Sequence, residues 1–157
     1  MADSPDDPPP GPAKPAGKLK LRAEDEEDLA VISAFLQDAL VPVAEMIFLP
    51  DEQRFVLVAN RFMWERPPLG KKGHFERTLT GIAFDGVKAV RVRGFERTES
   101  DRILQVLAVR AVPGSVIFEF SGDDAMRLET DRILCHLEDI GEPWPTPWRP
   151  RHALDDL

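Results

Sequence analysis

AMRLETDRILCHLEDI, residues 125–140, decides how this chain closes its fold. Met126, Thr130, Ile133, Leu137 and Ile140 recur at three- and four-residue steps with Leu134 beside them, the period of an amphipathic helix. Ser121 and Asp124 ahead of the stretch have the spacing of a capping box, and Gly141 stands where such a helix would end. The spacing predicts a C-terminal helix packed on whatever precedes it.

What precedes it reads as strand. From Val43 the apolar residues fall in short runs rich in β-branched and aromatic types, with Gly, Pro, Asp and Asn between the runs. Six strands are expected, over residues 44–49, 54–64, 75–84, 87–94, 102–112 and 115–121. Asp85-Gly86 has the chemistry of a two-residue hairpin turn, and Pro50-Asp51-Glu52-Gln53 and Pro113-Gly114 supply two further turns. Connections this short make the sheet antiparallel, because parallel pairs need long crossovers. In the hairpin about Asp85-Gly86, simple register places Arg91 opposite Thr80 and Arg93 opposite Thr78 on one wet face.

Upstream, AEDEEDLAVISAFLQDAL (23–40) places Leu29, Ile32, Leu36 and Leu40 on one helical face. Its acidic start, Glu24 to Asp28, suits the positive end of the helix dipole, and Pro42 closes it. The expected fold class is therefore α+β: an antiparallel sheet of about six strands flanked by an N-terminal and a C-terminal helix. Its tighter variant is a pleckstrin-homology-like half-barrel plugged by the second helix. Prolines crowd both ends of the chain. Residues 1–17 have almost nothing to bury and are expected to be disordered, 18–141 to form one domain, and 142–157 to be a Trp/Pro-rich tail.

With 157 residues the chain has the length of one domain, and no apolar run approaches the ~20 residues of a membrane span. A single cysteine, Cys135, and an N-terminus without an apolar leader point to the cytoplasm. Net charge is −8, yet residues 54–110 carry twelve Lys and Arg against six Asp and Glu. Two readings of that asymmetry stay open: rims of basic strands and acidic helices that pair with one another, or an anion-binding surface. The overall acidity disfavours duplex DNA as a partner.

The candidate ligand residues are Lys71, Lys72, Arg77, Arg91 and Arg93. The loop 65–74 lacks the glycine-lysine spacing of a phosphate cradle and opens onto a strand. His74, His136 and His152 show no metal spacing, Cys135 reads as a small core hydrophobe, and no nucleophile elbow is present. No cofactor, metal or catalytic set is legible. Trp144 and Trp148 carry large apolar areas in the tail and, with Arg149 at their rim, are candidates to contact a protein partner unless they fold back on their own domain. Phe55, Phe62, Phe84, Phe118 and Phe120 read as core.

KLKLRAEDEEDLAVISAFLQDA (18–39) together with CHLEDIGEPWPTPWRPRH (135–152) resembles the two ends of a family of small uncharacterised alphaproteobacterial proteins, a domain of unknown function. The resemblance spans Lys18 to His152 and implies a bacterial cytoplasmic setting; it transfers no site residue. The expected function is a non-catalytic binding or adaptor module with an unidentified protein partner. The alternative is a module holding an anionic ligand, whether phospholipid headgroup, nucleotide or nucleic acid, on its basic strands.

Overall fold

The apolar spacing from Lys20 onward resolves into ten strands and one α-helix in a computed structural model, which describes residues 18–68, 74–147 and 149–150. In chain order these are β1 (Lys20–Ala23), α1 (Glu26–Phe35), β2 (Leu40–Pro42), β3 (Met46–Leu49), β4 (Arg54–Phe62), β5 (Phe75–Asp85), β6 (Val87–Arg93), β7 (Ile103–Val112), β8 (Ser115–Phe120), β9 (Ala125–Thr130) and β10 (Cys135–Thr146). The strands run antiparallel in the order β1-β10-β5-β4-β2-β7-β8-β9-β6, with β3 added on β4.

The expectation of six strands between two helices, half-barrel included, is overturned. All six predicted strands are present, as β3 to β8, but residues 125–140 form β9 and the first half of β10 instead of a helix. The same letters satisfy a period of two. Met126, Leu128 and Thr130, then Cys135, Leu137 and Asp139, are buried, while Arg127, His136 and Glu138 between them face out. Helix-forming side chains here yield to pairing on both edges, since β9 lies between β8 and β6, and β10 between β5 and β1. Asp124 opens no helix; it is buried and ion-paired to Arg102. Gly141, at φ +76°, sits where the register of β10 shifts between Ile140 and Trp144.

The turn at Asp85-Gly86 is also corrected. The turns at Pro113-Gly114 and Pro50–Gln53 join paired strands, with Val112 opposite Ser115 and Leu49 opposite Arg54. β5 and β6, in contrast, do not pair: β5 lies between β10 and β4, and β6 pairs with β9. Thus Arg91 stands opposite Arg127 and Arg93 opposite Ala125, while Thr78 and Thr80 are buried elsewhere. A Gly at φ +81° permits a sharp turn, but only packing chooses the partner.

α1 is shorter than the predicted 23–40. The Asp25 side chain accepts the Asp28 N–H at 2.8 Å as an N-cap. The helix ends at Leu36, and Asp38 at φ +64° turns the chain into β2, so Leu40 belongs to a strand. Leu29, Ile32 and Leu36 are buried as the spacing requires. The sheet folds over on itself around this stripe: Phe84 on β5 and Phe118 on β8 are far apart in the strand order, yet their rings meet at 5.7 Å. All five phenylalanines read as core are buried.

At one end the core stops being apolar. Arg61 on β4 is fully buried and forked onto Asp139 of β10, its Nε donating to Oδ1 and its terminal nitrogen to Oδ2, both at 2.9 Å. Glu65 accepts two more of its N–H groups at 3.1 and 2.8 Å, and the Phe35 ring lies 5.6 Å from the guanidinium carbon. Asp139 also accepts the Leu19 N–H at 3.0 Å, and its own N–H donates to the Leu19 carbonyl. Burial would lower the Arg61 pKa, but the two carboxylates outweigh it and the group is held above its ordinary value. Burial pushes the Asp139 carboxyl upward, yet Arg61 and the Leu19 N–H outweigh that and hold it below the usual carboxylate range.

Removing one partner should therefore be costly. Asp139→Asn or Arg61→Ala is expected to lose about 3–5 kcal/mol in urea unfolding, whereas Arg61→Met combined with Asp139→Leu should lose less than either single change. A depressed carboxylate stabilises the fold above its unfolded pKa, and that contribution goes as pH falls through the folded value. The urea midpoint should decline below about pH 4, and more shallowly in Asp139→Asn. Separately, a Cβ on Gly94, at φ +89°, would lie 2.0 Å from Asp124 Oδ1, whereas one on Gly114, at φ +76°, would meet nothing within 4 Å. Gly94→Ala is expected to depress the melting temperature more than Gly114→Ala.

Candidate functional site

Residues directly opposite in antiparallel strands share a face, so the register places the side chains outside the core without further assumption. Across β6, β9, β8 and β7 the pairs Arg91–Arg127, Arg127–Ile117 and Ile117–Arg110 make one continuous row on the outer face. The neighbouring row carries Arg93, Ala125 and Glu119. Val92, Met126, Phe118 and Val109 alternate with them toward the core. The face is a shallow concavity of about 320 Å³, with guanidiniums at its sides and Ile117, 9% exposed, in its floor.

Four arginines meet there, and three are already engaged. Arg91 Nε donates to Glu129, which holds the guanidinium above its ordinary pKa, and Arg110 Nε donates to Glu119 at 2.9 Å. Arg93 Nε reaches the Asp123 carbonyl at 3.2 Å. Arg127 makes no hydrogen bond or ion pair among the described residues, although a second guanidinium stands directly opposite it. Arginine keeps its charge at every accessible pH and offers a planar fork matched to carboxylate or phosphate oxygens. The described lining holds guanidiniums, one carboxylate and apolar groups; no histidine, hydroxyl or thiol belongs to it. The arrangement can hold an anion and orient it.

Of the residues singled out in the sequence, Arg91 and Arg93 lie on this face. Arg77 lies on β5, donating to the Asn60 side chain at 2.6 Å and its carbonyl at 3.1 Å, over the Phe62 ring; burial lowers its pKa. Trp144 stands opposite Arg77 on β10 and is 36% exposed, and Arg149 lies over the Trp64 ring at 5.5 Å. Lys71, Lys72 and Trp148 lie outside the described residues. Arg110 and Arg127 were missed. The signal for Arg127 was the inward Met126, Leu128 and Thr130 around it, which the helical reading hid. His136 and Cys135, read as helical, belong to β10; the thiol is buried and its pKa pushed up to about 12 by burial.

The remaining described residues gather no group of three or more His, Cys, Asp and Glu able to hold a metal, and no described helix is long and apolar enough to cross a membrane. A family model described as "Protein of unknown function (DUF2948)" matches residues 19–152, from just before β1 to beyond β10. The chain belongs to that family. No curated protein and no solved structure matches this DUF2948 chain.

In the DUF2948 fold, like charges opposite one another on a sheet face oppose folding. Arg127→Ala is expected to leave the urea midpoint unchanged or slightly raised, and Arg127→Glu, facing Arg91, to raise stability by about 0.2–1 kcal/mol. A loss above about 1 kcal/mol on Arg127→Ala would make this side chain structural.

Proposed function

We propose that this protein is a binding module of adaptor type that takes an anionic ligand on the outer face of β6, β9, β8 and β7. The observation that carries the reading is Arg127, a guanidinium set directly opposite Arg91 with no counter-charge of its own among the described residues. A sheet built for stability alone would place an acidic or apolar residue there. Arg91 and Arg110 are held by carboxylates on their flanks, which orients their forks, and Ile117 offers an apolar floor to the body of a ligand. The setting proposed is a bacterial cytoplasm, which the single, buried Cys135 thiol supports. The surface is shallow and its four arginines are spread over three strands, which suits a ligand with acidic groups spread along it more than one compact anion.

Titration of the whole chain with inorganic tripolyphosphate tests the reading. Binding should weaken steeply between about 50 and 200 mM salt, as expected for charge pairing at an exposed surface. Arg127→Ala should weaken it about tenfold without loss of fold. Equal affinity of the wild type and Arg127→Ala, or affinity indifferent to salt, would remove the arginine face from consideration.

A further inference from the structure

The arginine face ends at an open strand edge. β6 is last in the strand order, pairs with β9 on one side, and has no described strand on the other. Open edges of this kind are normally blunted by proline, bulges or lysine, because unpaired N–H and C=O groups template another strand. In β6 those devices sit only at the beginning. The register shift falls between Val87 and Ala89, the Val87 N–H donates to the Gln53 carbonyl, and Lys88 is ion-paired to Asp131. From Ala89 to Arg93 the ladder to β9 is unbroken and contains no proline. The side chains alternate: Arg91 and Arg93 point to the arginine face, whereas Val90 and Val92 turn inward, half-buried against the core.

We infer that β6 accepts an extended acidic peptide segment of a partner protein as an eleventh strand. The inference rests on the arginine face being the anion site and names what occupies it. Added next to β6, such a segment would place alternate residues opposite Arg91 and Arg93, with Arg127 one strand further in, and the residue between them opposite Val92. The matching chemistry is acidic, apolar, acidic. Main-chain hydrogen bonds to β6 supply affinity that does not depend on sequence, and the charges supply direction and choice. A free phosphate or a nucleic acid would use the guanidiniums and leave the edge unpaired.

The test uses the whole chain and a capped peptide of alternating valine and glutamate, matched to the seven residues of β6. Two further peptides carry N-methyl groups on one or the other alternate set of backbone amides, which removes ladder donors while keeping every charge. The plain peptide should bind and slow amide exchange at alternate residues between Ala89 and Arg93. One N-methylated peptide should lose about tenfold or more in affinity and the other should keep it. Equal binding of all three peptides would overturn strand addition and leave the anion face standing. So would binding of tripolyphosphate without binding of the plain peptide. If neither tripolyphosphate nor peptide binds, the anion face and the strand addition fall together.

Discussion

A guanidinium sealed inside a sheet must be answered at each of its nitrogens, and Arg61 is. Taking such a charge out of water costs several kcal/mol, and the fork onto Asp139 with the further bonds to Glu65 is what offsets it. The pair reaches from β4 to β10 across β5, and Asp139 extends the same contact to Leu19 just before β1. It also fixes register. Sliding β10 by one residue would carry Asp139 to the outer face and leave the buried Arg61 with Glu65 alone of its two carboxylates. The apolar core tolerates small errors of alignment; this end of it does not.

The arginine face has the opposite character. Its charges lie in water, contribute little to holding the strands together, and include one that works against them. Arg61 and Arg127 are thus the same residue type under opposite constraints, one forked onto two carboxylates and the other with none among the described residues. Arg127 comes from the part of the chain that is acidic as a whole, residues 111–157, whereas Arg91, Arg93 and Arg110 come from the basic part. Reading the sequence singled out Arg91 and Arg93; only the sheet brings Arg110 and Arg127 beside them.

Legibility followed local chemistry and ended where pairing decides. The six strands from Met46 to Phe120 were readable because β-branched and aromatic residues alternate between clear turn signals. The helix was readable from its acidic start, Glu24 to Asp28, and the Leu29, Ile32 and Leu36 stripe. Residues 125–146 were not, since Met, Leu, Arg and Glu favour a helix and Asp139 breaks the apolar alternation at a buried position. The Asp85-Gly86 pair signalled a turn correctly but could not say that β5 and β6 would part. Arg91 and Arg93 were therefore found with the wrong neighbours, and Arg61 offered no signal apart from an apolar run with a charge in it.

Among the described residues the first strand pairs with β10 alone, and that partner lies between it and β5. While the polypeptide is being made, Lys20–Ala23 must wait unpaired until Cys135–Thr146 has emerged more than a hundred residues later. The Arg61 end of β4 waits for Asp139 in the same way. Assembly of this half of the molecule is consequently a late, long-range event, slow by topology and completed only when nearly all of the folded chain has left the ribosome.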